Sequence, residues 1–188
     1  MDGPTQIGEW KKISDLGSGA FGVVSLWKNN TNEECIEAGI LKHNPTKLPL
    51  LPMEYCRKGN LRRVLSKPKN ICGLQEAEIR YILEDIGNGL QYLHNLKITH
   101  RDIKPDNIVL QHCDNRKDNT IYKIIDLGYA KELNDAVVSF VGTLHYLAPE
   151  IFQTERYNNS VDYWSMGILT FEIICGVLPF LPHLSPFE

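Results

Sequence analysis

One stretch of eight residues constrains this chain more than any other: His100-Arg101-Asp102-Ile103-Lys104-Pro105-Asp106-Asn107. It places a carboxylate, an ammonium group and a carboxamide, on Asp102, Lys104 and Asn107, within six residues. Apolar segments flank it, Leu96 to Thr99 before and Ile108 to Leu110 after, so it reads as a polar turn between two short strands. A polar loop held by strands at both ends is a rigid platform, and any fold of this chain has to present it.

The segments around it are ordered to suit. Glu76 to His94 is the clearest predicted helix, with Ile79, Ile82, Leu83, Ile86, Leu90 and Leu93 recurring at three and four. Glu78, Arg80, Glu84 and Asp85 fall mostly on its other face, and Gly87 and Gly89 allow a close neighbour. The helix feeds directly into the loop. Beyond it, a polar connection from Gln111 to Asn119, which takes in His112 and Cys113, leads to a strand from Tyr122 to Ile125. That strand delivers Asp126-Leu127-Gly128, nineteen residues after Asn107, and Ala148-Pro149-Glu150 follows further on.

Near the start, Leu16-Gly17-Ser18-Gly19-Ala20-Phe21-Gly22-Val23-Val24 lies between loosely alternating apolar residues and predicts a glycine-rich hairpin. Glycines let backbone amides approach phosphate oxygens with no side chain between them. Leu48 to Cys56 reads as a buried strand and a connector, and Gly59-Asn60-Leu61 as the turn into a helix. The apolar run Met166 to Leu181 contains Glu172, Gly176 and Pro179, which suits a core helix and not a membrane span.

A chain of 188 residues has room for one sizeable core. Its net charge of −3 gives no support to nucleic-acid binding. Five cysteines without C-x-x-C pairing, and an N-terminus without an apolar stretch, predict a reduced cytoplasmic setting.

The order of these motifs resembles the protein-kinase signature set: glycine-rich loop, catalytic loop, D-x-G, A-P-E. Met53-Glu54-Tyr55-Cys56, Lys123 to Leu133 and Ser139 to Glu150 look more narrowly like an IκB kinase, including leucine as the middle residue of D-x-G. The resemblance implies an α+β, bilobal kinase-like fold, a small β lobe and a mainly helical large lobe. It implies ATP and Mg²⁺ as cofactors, an IκB-type protein substrate, an IκB kinase regulatory subunit as partner, and no nucleic acid or membrane. Asp102 would accept the substrate hydroxyl proton and Lys104 would offset phosphoryl charge. Lys104 with Thr143 resembles serine/threonine kinases. Asn107 and Asp126 would hold Mg²⁺. Leu16, Gly17, Gly19, Gly22, Val24, Met53, Glu54 and Cys56 would line the nucleotide site, with Met53 as gatekeeper. Ser139 would be the activating phosphorylation site, read by Arg101, with Asp135 in place of a first serine. Asp162 would tie the catalytic loop's backbone.

The likeness breaks between Gly22 and Met53. The family fits a strand, a helix and two further strands there, with a V-A-I-K lysine and a partner glutamate. This chain has 31 positions and Glu37-Ala38-Gly39-Ile40-Leu41-Lys42. It reads as if on the order of 30 residues were cut between Ile36 and Glu37, with Lys42 a solvated loop residue. Residues 1–53 are then a remnant small lobe, holding the glycine hairpin and one more strand. Residues 54–188 are the hinge and a large lobe truncated at its C-terminal end, which leaves Glu150 without its usual arginine. The alternative reading is a catalytically impaired kinase-derived binding module or an incomplete splice form.

Overall fold

The computed structural model describes residues 5–18, 22–41, 50–132, 140–152 and 157–180. The chain divides into two compact units, one ending at Tyr55 and one starting at Cys56.

The first unit is an antiparallel sheet of five strands in chain order: β1 (Gln6–Ile7), β2 (Trp10–Ser18), β3 (Gly22–Asn29), β4 (Cys35–Leu41) and β5 (Leu50–Glu54). β2 and β3 form the expected glycine hairpin, with Gly17 opposite Val24 and a register shift between Asp15 and Gly17. Two strands continue the sheet, not one. β4 runs unbroken through Ile36 and Glu37, pairing Val24 with Gly39 on one side and Met53 with Glu37 on the other. The hairpin therefore keeps a hydrogen-bonded neighbour. What it lacks is a core. Among its described residues, Trp27 and Ala38 are the buried apolar side chains, and no helix packs on it within the unit. Pro52, Met53 and Glu54 are exposed, so the end of β5 is not the buried strand that its apolar sequence predicts. A strand is buried only where a second layer covers it.

The second unit begins with α1 (Leu61–Leu65), capped by Asn60, whose side chain accepts from the Arg63 N–H. α2 (Glu76–Asn95) follows and buries Ile82, Ile86 and Leu90. Short strand β6 (Ile98–Thr99) leads into the 100–107 loop. The hairpin of β7 (Ile108–His112) and β8 (Thr120–Ile124) leads out of it. β7 extends to His112, which pairs with Thr120 and so belongs to the strand, not to the connection. β9 (Lys131–Glu132) pairs with β6; α3 (Pro149–Phe152) and α4 (Ser160–Cys175) complete the unit.

α2 packs on β8 because Gly89 leaves room: a Cβ there would lie 3.0 Å from Ile124 Cδ1. Asp85 is no solvated carboxylate. It takes two hydrogen bonds from the Arg116 guanidinium, at 2.6 and 2.7 Å, and one from Tyr122 N–H at 2.8 Å, pinning the helix to the hairpin. Leu169 and Ile173 of α4 join Ile82, Ile86, Ile103 and Ile108 in one core directly beneath the loop. Burying these six side chains is worth roughly 1.5–3 kcal/mol each, which gives the loop a firm apolar foundation.

Candidate active site

The loop is held from below by one carboxylate. Asp162, in the first turn of α4 and fully buried, accepts from His100 N–H at 2.8 Å and from Arg101 N–H at 2.7 Å. His94, on α2, donates to the same carboxylate from Nε2 at 2.8 Å. The expected tie from Asp162 to the loop backbone is present, and His94 is an anchor that the sequence did not single out. His100 donates from Nε2 to Ile125 O at 3.0 Å, which leaves Nδ1 to accept the Asp102 N–H at 3.3 Å. Arg101 takes positive φ, +70°, and its buried guanidinium donates to Tyr129 O and Tyr157 Oη.

Four side chains converge above this base. Lys104 Nζ lies 2.8 Å from Asp102 Oδ2. Asn107 Nδ2 donates to Asp102 Oδ2 at 2.9 Å and to its main-chain oxygen at 2.8 Å. Thr143 Oγ1 donates to Asp102 Oδ1 at 2.7 Å and accepts from Lys104 Nζ at 2.6 Å. Asp102 is thereby fixed in rotamer, almost wholly buried, and surrounded by donors. The sequence reading joins Thr143 to Lys104 only as a mark of serine/threonine kinases and gives it no contact with Asp102. Its signal was there: it is the one hydroxyl in the apolar run Val141 to Leu144.

Asn107 and Asp126 stand next to each other across a ladder. Ile108 pairs with Ile124, and Ile125 N–H donates to Asn107 O at 2.9 Å, so Asp126 emerges beside Asn107. Asp126 has φ +66° and is exposed, with Oδ1 accepting from Gly128 N–H at 3.1 Å. Because Asn107 commits its NH₂ to Asp102, its remaining acceptor is an oxygen. One carboxylate and one carboxamide oxygen are a hard donor pair, and Mg²⁺ is commonly held by one or two such groups plus substrate phosphates. These residues fit it. Among the described residues no cluster of three or more His, Cys, Asp or Glu side chains offers a complete protein cage.

The expected nucleotide-site residues fall in both units. Leu16 and Gly17 lie on β2, Gly22 and Val24 on β3, Met53 and Glu54 at the end of β5, while Cys56 is buried at the start of the second unit. Leu16 and Met53 are exposed, at 44% and 38%. Gly19, Ser139, Lys42 and Asp135 lie outside the described residues. Glu150 is half-buried on α3.

A second polar cluster borders the loop. Arg62 donates from Nε to Asp106 at 3.3 Å, from one terminal nitrogen to the buried Glu172 and from the other to Tyr146 Oη at 2.8 Å; Tyr146 donates in turn to Glu172. Burial opposes the Arg62 charge, but Glu172 and Tyr146 hold its pKa above the ordinary arginine value. Burial and Glu172 push the Tyr146 phenol well above its usual range. Glu172 was the readable signal: a lone carboxylate in an apolar helix calls for a cation.

The protein kinase domain family matches residues 36–185, well over half of the chain. The chain belongs to the protein kinase family. Within it, the chain is 42% identical to the inhibitor of nuclear factor kappa-B kinase subunit alpha of Xenopus tropicalis, over 96% of its own length and 29% of the relative. It is 42% identical to subunit beta of Mus musculus, over 98% of its length and 30% of the relative. For subunit alpha of Gallus gallus the identity is 43%, over 96% and 28%. The chain thus spans under a third of the curated relatives it matches, and it is a protein kinase of the IκB kinase type. The first alignment is 219 residues long but takes in only 96% of 188 residues, so it includes on the order of 40 positions with no counterpart in this chain.

Proposed function

We propose that the 100–143 cluster is the phosphoryl-transfer site of an IκB-kinase-like serine/threonine kinase acting on IκB-type proteins, and that this chain transfers phosphate slowly. The carrying observation is Asp102, fixed by Thr143, Lys104 and Asn107. The substrate hydroxyl attacks the γ-phosphorus of ATP, its proton passes to Asp102, and ADP leaves. Lys104 supplies positive charge beside the transferring group. Asn107 and Asp126 would hold Mg²⁺, which offsets charge on the phosphates. Leu16, Gly17, Gly19, Gly22, Val24, Met53, Glu54 and Cys56 are the proposed nucleotide contacts. Ser139 is the proposed phosphorylation switch and Arg101 its reader, a phosphate competing for the guanidinium that Tyr129 and Tyr157 now engage. Assembly with a regulatory subunit and a cytoplasmic setting belong to the same reading. Among the described residues no helix is long and apolar enough to cross a membrane.

A specific observation supports the impairment. β4 brings Glu37-Ala38-Gly39 against β3, where the family's third strand carries its lysine, and no helix among the described residues of this unit offers a glutamate partner. We place the missing stretch near residues 36–37, making residues 1–53 a remnant small lobe. Phosphoryl transfer depends on positioning, and a misplacement of about 1 Å costs on the order of a hundredfold. The test measures γ-phosphate transfer to an IκB-type serine peptide by this chain, by Asp102→Asn, and by a form with the relatives' segment restored. The restored form should be at least about a hundredfold faster, and Asp102→Asn should abolish its activity. Equal rates with and without the segment would refute the impairment; an active Asp102→Asn would refute the site.

A further inference from the structure

The second unit contains a pair of thiols that the reaction does not use. The 71–74 segment crosses close against the C-terminal end of α4. Leu74 N–H donates to Ile173 O at 2.7 Å. Gly73, with φ +99°, approaches the next residue so closely that a Cβ there would lie 1.9 Å from Ile174 O. Gly176, with φ +76°, does the same in return: its Cβ would lie 1.8 Å from Ile71 O and 3.0 Å from Gly73 N. Gly73 thus lies against the Ile173 and Ile174 carbonyls, and Gly176 against the backbone on both sides of Cys72. Cys72 precedes Gly73 and Cys175 precedes Gly176, so the two thiols flank this crossing. Both are exposed free cysteines.

We infer that Cys72 and Cys175 form a reversible disulfide that staples the 71–74 segment to the end of α4 when thiol-oxidising conditions arise. Backbone contacts this close, at the residue next to each cysteine, suit the roughly 4.4–6.8 Å α-carbon span that a disulfide bridges. The two flanking glycines are what permit the approach. The oxidant is a small-molecule disulfide such as glutathione disulfide. One cysteine thiolate attacks it, releasing one glutathione thiol and leaving a mixed disulfide. The second cysteine thiolate attacks that mixed disulfide at the protein sulfur, releasing the second glutathione. Both cysteine sulfurs are oxidised, both glutathione sulfurs are reduced, and the two cysteine protons go to solvent or to the departing thiolates. Exposure of both thiols gives the oxidant access and lets thioredoxin-like dithiols reverse the bond. The bridge would close a loop of about 100 residues, and a longer loop loses more unfolded-state freedom when cross-linked.

The full chain is incubated with glutathione disulfide, alkylated, digested and examined by mass spectrometry, and its thermal unfolding is followed with and without the oxidant. The expected product is monomeric, lighter by two hydrogens and linked between Cys72 and Cys175, with a thermal midpoint roughly 5–10 °C higher. Cys72→Ser and Cys175→Ser should each stop at a glutathione adduct on the remaining cysteine and show no such rise. A wild-type chain carrying independent adducts on Cys72 and Cys175, or linking either of them to Cys35, Cys56 or Cys113 or to a second molecule, overturns the inference. So does a linked product that a dithiol cannot reopen in the folded state.

Discussion

Thr143 Oγ1 stands between the two charged groups of the 100–107 loop, 2.7 Å from Asp102 Oδ1 and 2.6 Å from Lys104 Nζ. A hydroxyl is suited to that place because it donates to the carboxylate and accepts from the ammonium group at once. In a form with the missing segment restored, Thr143→Ala should lower phosphate transfer by roughly 10–100-fold, while Thr143→Ser stays close to the parent. The KM for ATP should hardly move, since Thr143 orients the acceptor side. Steady-state kinetics on all three forms checks this, and a Thr143→Ala variant with parental kcat would remove Thr143 from the positioning set.

The contrast between the two units predicts their relative stability. The sheet buries two apolar side chains among its described residues, whereas α2 alone contributes Ile82, Ile86 and Leu90 to a continuous core. Amide exchange follows local opening, which is easiest where few apolar contacts must break. Amides from Ile13 to Leu26 should exchange about two orders of magnitude faster than those from Ile79 to Leu93. Equal protection would mean that β4 and β5 stabilise the hairpin far more than its burial indicates.

Glu37 adds a pH dependence to the same sheet. It is half-buried on β4, and burial raises its pKa above the ordinary carboxylate value of 4.5. The fold therefore prefers the protonated acid. The stability it contributes is complete below about pH 4 and is lost as pH rises through the folded-state value. Glu37→Gln does not titrate and should melt at a higher temperature than the parent at pH 7–8. The difference should close as pH falls towards 4. Thermal melts across that range decide it; a gap that widens in acid would reverse the assignment.

The second unit was largely legible in the sequence. The apolar period of Glu76 to His94, the polar loop between apolar flanks and the strand ending before Asp126 each lie where their pattern places them. Local chemistry dictated those elements, so local reading found them. The sheet was less legible. One strand was expected after the hairpin, whereas Cys35 to Leu41 and Leu50 to Glu54 make two; β4 runs across the proposed junction because backbone pairing needs only extended residues and tolerates Ala38 and Gly39. Exposure of Met53 could not be read from an apolar sequence, since burial depends on what covers a strand. Side-chain partnerships across long separations, such as Thr143 with Asp102 or Arg62 with Glu172, have no local signal beyond an isolated polar residue in an apolar run.

That last pairing yields the most demanding prediction. Arg62, Tyr146 and Glu172 close a partly buried ring of hydrogen bonds joining α1, the turn after Thr143 and α4, and Arg62 reaches Asp106 as well. Glu172 is 5% exposed, so its charge is tolerable only while Arg62 faces it. Arg62→Met keeps the bulk of the side chain but strands the carboxylate, and should cost about 3–5 kcal/mol in chemical denaturation. Removing the whole ring is different. The triple variant Arg62→Met, Tyr146→Phe, Glu172→Leu leaves no buried charge behind, and should return to within about 1–2 kcal/mol of the parent. The exposed Asp106 loses only a surface partner, worth about 1 kcal/mol or less. If the losses simply added, the triple variant being the least stable of all, the ring would be three independent contacts and not one charge-balanced unit.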